Sequence, residues 1–445
     1  MRKRVEYMNF NKNLKRIIIV CICHLACHDL IASQAEEKIT SENNPANLKK
    51  EARIVNKSNL DIVFNRYIEA IEKKESDEGP YNRDLPEMLH SLGKKFQSND
   101  RHEEAVNVYK KAIYINRIND GLYSLSQETS LQAIIESQKI QGKIKEVAGN
   151  YSQLLQIYRK NYKENNPSFL DMIDEFSHWS IKAYTQTGGR NDVYHLEAAF
   201  DLYSDTIRIL SEQKGEMHPS LLPSLNKLAT TCYYLSVHQR RFPDYGETDT
   251  SLPFGYRSMA PVNQVVGRGA YFKHGQMVQN QILQILDENP NFTPIEIAKG
   301  QTNLGDWYLI FGKYQLARNA YKKSYEIVAN NQKNIKILDE MYSQPVMLPK
   351  NSEFFGTKKN NDLASDKSEN SNLSYTVNYV NLLVDITDGG NPINFSIKKI
   401  FPSEMNNFGA RAIETVRTKK FRPQLINGSP VLSTQFPMRV IIPNE

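Results

Sequence analysis

From about residue 60 to residue 330, apolar residues recur every three to four positions, the period of amphipathic helices packed on one side. Beyond residue 372 the period becomes two. In YTVNYVNLLVDIT (375–387), Val380, Leu382, Val384 and Ile386 fall on one face, and Val377, Tyr379, Asn381, Leu383 and Asp385 on the other. Asp388-Gly389-Gly390-Asn391 is a hairpin turn, and INFSIKKIF (393–401) is the returning strand. Asn406 or Asn407 can cap a helix over 408–418, with Phe408, Ala412, Ile413 and Val416 on its apolar side. An Arg422-Pro423 stop, an Asn427-Gly428 turn and a last strand, VLSTQFPMRVII (431–442), follow. The expected fold is mainly α, a helical solenoid followed by a small α+β domain of order β-β-α-β.

One pattern occurs twice in the helical region. SLGKKFQSNDRHEEAVNVYKKAIYI (91–115) sets Leu92, Gly93, Phe96, Ala105, Tyr109 and Ala112 at the same offsets as Leu304, Gly305, Tyr308, Ala317, Tyr321 and Ser324 of NLGDWYLIFGKYQLARNAYKKSYEI (303–327). Small residues let paired helices approach, and aromatic ones fill the wedge to the next pair. The pattern resembles the tetratricopeptide repeat, although Gln301 stands where that family carries Trp, and Arg117 and Ala329 where it carries Pro. Asn166-Pro167 and His218-Pro219 each open a further amphipathic helix. About five or six helix pairs are expected.

Four segments follow from composition. Residues 1–35 form a leader, with a basic start, the apolar run Ile17–Ala26 and small residues up to a cleavage site after Ala35. Residues 36–340 hold the repeats, interrupted at 241–271 by a Pro- and Gly-rich insertion. Residues 341–372 read as a linker, extended at Gln344–Pro349 and polar and flexible over 356–372. Residues 373–445 form the C-terminal domain. The leader's apolar run is short for a bilayer span, and His24, His28 and Asp29 oppose lengthening it, though an uncleaved anchor remains an alternative. Leu25-Ala26-Cys27 resembles the end of a lipobox, so a lipidated Cys27 is a further route to the membrane.

Charge excludes one class of partner. The first 16 residues hold +5 of the formal +6, and the chain from Glu36 onward is +2. A near-neutral body without a basic stripe is a poor ligand for phosphate backbones, so no nucleic acid is expected. No enzyme chemistry is expected either. The nine His form no HExxH and no metal spacing with Cys, and there is neither G-x-S-x-G nor a P-loop. Gly267-Arg268-Gly269 lacks the third Gly of a nucleotide fingerprint. His102-Glu103-Glu104 reads as a solvated helix face, His178-Trp179 as packing, and Cys232 as a small core residue. Catalytic, metal and cofactor residues are therefore none.

The strand–turn–strand–helix–strand tail resembles the C-terminal domain of the TonB family. The matching residues are Asp388–Asn391, Ala412–Val416, the signature Phe421, Arg422, Pro423, Asn427 and Gly428 ahead of Pro430-Val431, and the closing Val440–Ile442. That resemblance implies a Gram-negative periplasm, or the periplasmic face of a membrane. It also implies partners among envelope proteins such as outer-membrane transporters, and β-augmentation along the last strand through Ser433, Thr434, Gln435, Phe436, Met438, Arg439 and Val440. Thr434, Phe436, Met438 and Val440 are expected on one side and Ser433, Gln435, Pro437 and Arg439 on the other, and Phe436→Pro is expected to abolish capture. Phe421 is the expected core anchor, with Arg422-Pro423 ending the helix. Two functions follow: an exported interaction scaffold or, as the alternative, a TonB-type energy transducer coupling the inner membrane to outer-membrane transport.

Overall fold

The computed structural model describes residues 45–243, 269–329, 335–348, 378–402 and 407–442. Ala35 and Cys27 in the leader, most of the 241–271 insertion and the 356–372 stretch lie outside the described residues. The chain divides into two compact units, Met1–Lys73 and Lys74–Glu445. The first contributes the greater part of α1, Pro45–Glu78.

In the second unit α2 (Leu85–Gln97) pairs with α3 (His102–Asp120), α4 (Glu128–Ile140) with α5 (Ile144–Asn161), and α6 (Pro167–Thr187) with α7 (Tyr194–Lys214). Next come α8 (Leu222–Arg241) with α9 (Ala270–Glu288), and α10 (Pro294–Ile310) with α11 (Tyr314–Ala329). Each pair also packs on the next, as in a solenoid. Local chemistry sets the starts. Asn166 accepts from the Ser168 amide at 2.9 Å ahead of α6. His218 Nδ1 accepts from the Ser220 amide at 3.1 Å in the 3-10 turn that leads into α8. Thr293 and Glu296 form a reciprocal capping box on α10, with Pro294 in its first turn.

The repeated Gly and Tyr positions explain the pairing. A Cβ on Gly93 would lie 2.4 Å from the Tyr109 ring, and one on Gly305 would lie 2.5 Å from Tyr321. Both tyrosines are buried, and each hydroxyl reaches back to its partner helix: Tyr109 donates to Gln97 at 2.6 Å and Tyr321 to Asp306 at 2.9 Å.

After α11 come α12 (Ile335–Tyr342) and the strand β1 (Val346–Leu348), so the stretch read as linker from residue 341 holds regular structure at its start. The tail contains β2 (Tyr379–Ile386), β3 (Pro392–Phe401), α13 (Phe408–Arg417), β4 (Lys420–Arg422), β5 (Gln424–Ile426), β6 (Ser429–Val431) and β7 (Ser433–Ile441). The main sheet is antiparallel in the order β3-β2-β7. Val380, Leu382, Val384 and Ile386 are buried and form a core with Phe408, Ala412, Val416 and Phe421. β1 pairs with β4, Met347 opposite Phe421, so the segment before the tail is stitched into it.

Two local expectations need correction. The helix ends at Arg417, five residues before Arg422; Arg422 lies in β4 and does not close the helix. Thr434 is exposed and does not share the inward face of Phe436, Met438 and Val440. The alternation is reset at Gln435, whose φ of 53° breaks the strand's regular twist.

Candidate functional site

The described chemistry converges where the tail meets the last repeats. A cavity of about 730 Å³ is walled by α8 (Asn226, Ala229, Thr230, Tyr233) and by α10 from Ile295 to Ile310. Gln279 of α9 also lines it, and α12, β1 and β4 close it through Glu340, Met341, Val346, Leu348 and Arg422.

Arg422 forms one end of the wall. Its guanidinium donates from Nε to Asp306 Oδ1 at 2.8 Å and from Nη2 to Oδ2 at 2.7 Å. Tyr321 donates to the same carboxylate, and Arg422 Nη1 reaches the Met341 carbonyl at 3.4 Å. Arg422 is 3% and Asp306 7% exposed, so both charges are desolvated. Burial opposes the charge on Arg422, but Asp306 outweighs it and the guanidinium's pKa is raised. Tyr321 is pushed well above the usual phenol range, by burial first and then by Asp306. Beneath the wall, Thr302 on α10 meets Ser324 on α11 and Tyr342 on α12, each at 2.8 Å, so one hydroxyl cluster joins three helices.

The tail is seated by further contacts of the same segment. Phe421 is fully buried, and its amide donates to the Gly390 carbonyl at 2.9 Å. Gly390 has φ 72°, and a Cβ there would lie 2.1 Å from the Phe421 carbonyl oxygen. Tyr325 on α11 donates to Asn427 at 3.4 Å and packs against Gly428, and Arg318 on α11 pairs with Asp388 at 2.6 Å. Phe421, Arg422 and Pro423 are buried, and Arg422, Asn427 and Gly428 each touch a residue of the last repeat pair, so this segment rests partly on the repeats. Sequence reasoning did not find Asp306 as their partner. One signal was available: Asp306 directly follows the Leu304-Gly305 pair and precedes Trp307 in an apolar helix, a place where a carboxylate needs a buried cation.

The edge-strand residues lie elsewhere. Among the described residues β7 pairs with β2 alone. Ser433 is buried and donates to Gln424 at 3.3 Å; Thr434, Gln435 and Arg439 are exposed; Phe436, Met438 and Val440 face the core. The Gln435 amide donates to Asp385 at 2.7 Å, and that bond, with one from Asn394, lowers the Asp385 pKa. Arg439 lies 4.3 Å above the Tyr379 ring centroid. Phe436 pairs with Val384 and packs on the core, so Phe436→Pro would strike sheet and core together rather than the edge alone.

Among the described residues no group of three or more His, Cys, Asp or Glu is arranged to hold a metal ion, and no helix is long and apolar enough to cross a membrane.

The fold is a tetratricopeptide-like helical solenoid with a small strand-containing C-terminal region. The tetratricopeptide repeat family matches residues 86–119, the α2–α3 pair. Similar solved structures include the nearly identical TPR-like repeats of a Podosopora anserina kinesin light chain, 18% identical with a TM-score of 0.34, covering 57% of this chain and 99% of that one. A single-substitution variant of those repeats is 17% identical with a TM-score of 0.35 over the same shares. BtubC (BKLC) from P. vanneervenii is 14% identical with a TM-score of 0.28, covering 60% of this chain and 89% of that one. No curated protein matches this chain.

Proposed function

We propose that this chain is an exported, non-enzymatic scaffold of the bacterial cell envelope that holds a segment of a partner protein in the cavity between α8 and α10. The carrying observation is the cavity itself: about 730 Å³, its wall shared between apolar side chains such as Ile295, Ile310, Val346 and Leu348 and polar or charged ones such as Asn226, Gln279, Lys299, Asn303 and Glu340. Ligand sites commonly run to roughly 300–1,000 Å³, and the volume here falls within that range. Export rests on the leader ending at Ala35, and the periplasm on the TonB-like order of the tail. The edge of β7 offers a second docking surface for an extended strand.

A photo-activated side chain placed at Asn303 in the full chain, expressed with its leader in a Gram-negative host, tests this reading. Cross-links to one partner from Asn303, absent from the outward Lys322 on α11, are expected, as is a mature chain that starts at Glu36. Equal cross-linking from both positions, or none from Asn303, would count against a partner in the cavity.

A further inference from the structure

We infer that the outward face of the C-terminal sheet docks a short acidic segment of a partner protein, its carboxylate taken by Arg439 and Lys399 and a neighbouring apolar side chain by Phe401 and Ile441. This surface is separate from the cavity, and it binds through side chains rather than through the backbone of the β7 edge.

Strand register defines the face. Val380, Leu382, Val384 and Ile386 of β2 enter the core, so Tyr379, Asn381, Leu383 and Asp385 lie on the opposite side. β3 and β7 set Phe401 and Ile441 beside Tyr379, and Lys399 and Arg439 beside Asn381. Phe401 is 38% and Ile441 49% exposed, and both cations are exposed. One row across the sheet is therefore apolar and the next is basic.

Arg439 is held ready for an anion. Its guanidinium carbon lies 4.3 Å from the Tyr379 ring centroid, and Tyr379 in turn stacks on Phe401, with centroids 5.3 Å apart and 19° between planes. Arg439 Nε donates to Asn381 at 3.0 Å, so ring and amide both restrain the side chain. Lys399 Nζ lies 5.9 Å from the same tyrosine ring. Among the described residues the two Nη groups of Arg439 meet no acceptor, and neither cation meets a carboxylate. A restrained guanidinium with both outer nitrogens unspent suits two-point bonding to a carboxylate, and loses less side-chain freedom on binding than a loose arginine would.

Charge sets the sign of the partner, and geometry sets its size. Residues 373–445 are net +3 and residues 36–372 net −1, so the positive surplus beyond the leader lies in the tail. The basic stretch is short. Four residues further along β2, about 13 Å away by strand geometry, the same face carries Asp385. Bonds from the Gln435 amide and from Asn394 lower its pKa and keep it charged. A long phosphate backbone or an anionic lipid surface laid over the face would meet that carboxylate, whereas a segment of a few residues would stop short of it. The apolar row beside the cations favours an aliphatic or aromatic side chain next to the acidic one.

The test uses the full chain and a dye-labelled, end-blocked peptide of Ser and Thr carrying one Glu and one Leu two positions apart, the separation of the basic and apolar rows. Fluorescence anisotropy is read for this peptide and for a version with Gln in place of Glu. The Glu peptide is expected to bind with saturation, more weakly as salt rises, and at least about tenfold more tightly than the Gln peptide. Arg439→Gln should weaken it about tenfold, and Arg439→Lys, which keeps the charge without the fork, about threefold. Lys399→Gln on the other outer strand should also weaken it about threefold. Positions 399 and 439 are exposed, so all three variants should keep the parent circular dichroism spectrum. Equal affinity for the Glu and Gln peptides, parent-like binding by Arg439→Gln, or no binding of either peptide would overturn the inference. So would tighter, Arg439-dependent binding of a single-stranded oligonucleotide or of phosphatidylglycerol vesicles, which would assign the face to a polyanion. Neither position lines the cavity, so cross-linking from Asn303 reports on that reading independently.

Discussion

Asp306 and Arg422 stand 116 residues apart in the chain and meet as a two-pronged ion pair, with Nε–Oδ1 at 2.8 Å and Nη2–Oδ2 at 2.7 Å, in a place water scarcely reaches. The pair joins the last repeat to the strand region, so the tail is seated on the repeats at this point.

Removing one partner is more damaging than removing both. Arg422→Met leaves the Asp306 carboxylate buried with only the Tyr321 hydroxyl, and should cost about 3–5 kcal/mol. The double change Asp306→Leu with Arg422→Met leaves no stranded charge and should recover most of that loss. Urea unfolding followed by circular dichroism, run on the parent chain and both variants, checks this order. A double variant as unstable as the single one would mean that the attraction itself, rather than the stranded charge, dominates.

How far this was legible follows from the range of each interaction. The α2–α3 and α10–α11 pairs could be read because Gly93 with Tyr109, and Gly305 with Tyr321, are local contacts that recur at fixed spacing. The β2–β3 hairpin was equally local, set by alternation and the Asp388–Asn391 turn. Arg422 was visible within a motif, but its role depends on a partner more than a hundred residues away, which no periodicity encodes. The cavity was not legible for the same reason: its walls come from α8, α9, α10, α12, β1 and β4, each with an ordinary amphipathic or strand pattern. The reset at Gln435 escaped because a positive φ in a non-glycine residue leaves no mark on the alternation of hydrophobic positions.

The paired glycines give a second prediction. Gly93→Ala and Gly305→Ala each force a methyl carbon to within 2.4–2.5 Å of a buried tyrosine ring, so ring and helix must shift. Each should cost about 1–3 kcal/mol despite alanine's better helix propensity. Gly149→Ala is the control, since a Cβ there meets nothing within 4 Å, and it should be neutral or slightly stabilising. Thermal midpoints of the three variants decide the matter. Equal effects at all three positions would show that propensity, not the close approach, governs these sites.

Two buried histidines set a pH limit. His195 lies against Trp179 and Tyr194, and His238 shares a 3.0 Å hydrogen bond with the Tyr184 hydroxyl. Burial lowers both to about 4; Asp192 opposes the shift at His195, while Arg241 and Arg190 add to it at His238. The sign follows from linkage. Unfolded imidazoles take up protons near 6.5 while the folded ones resist, so the unfolded state binds more protons between about 6.5 and 4. Stability is thus full above about 6.5 and is lost as pH falls towards 4, with each histidine contributing on the order of 3 kcal/mol at most. A pH series of urea midpoints should show this fall flattened in a His195→Gln, His238→Gln double variant. An unchanged slope would assign the acid sensitivity to other groups.

The last prediction concerns thiols and joins the core to the leader. Cys232 is fully buried in α8, 3.1 Å from where a Gly275 Cβ would stand, and burial pushes its pKa well up. A thiol held protonated and out of contact with solvent does not attack disulfide reagents. The other three cysteines, Cys21, Cys23 and Cys27, all precede Ala35. Protein that has lost the leader should therefore show no fast-reacting thiol when native and one after denaturation in a colorimetric thiol assay. Slow labelling of the native form should track the unfolding rate and speed up in urea. Protein that keeps an unmodified leader carries three more thiols, so a native sample with several fast-reacting groups would reveal retention. Fast reaction in a chain shown to begin at Glu36 would instead mean that α8 and α9 open without global unfolding, contrary to the close packing of Cys232 and Gly275.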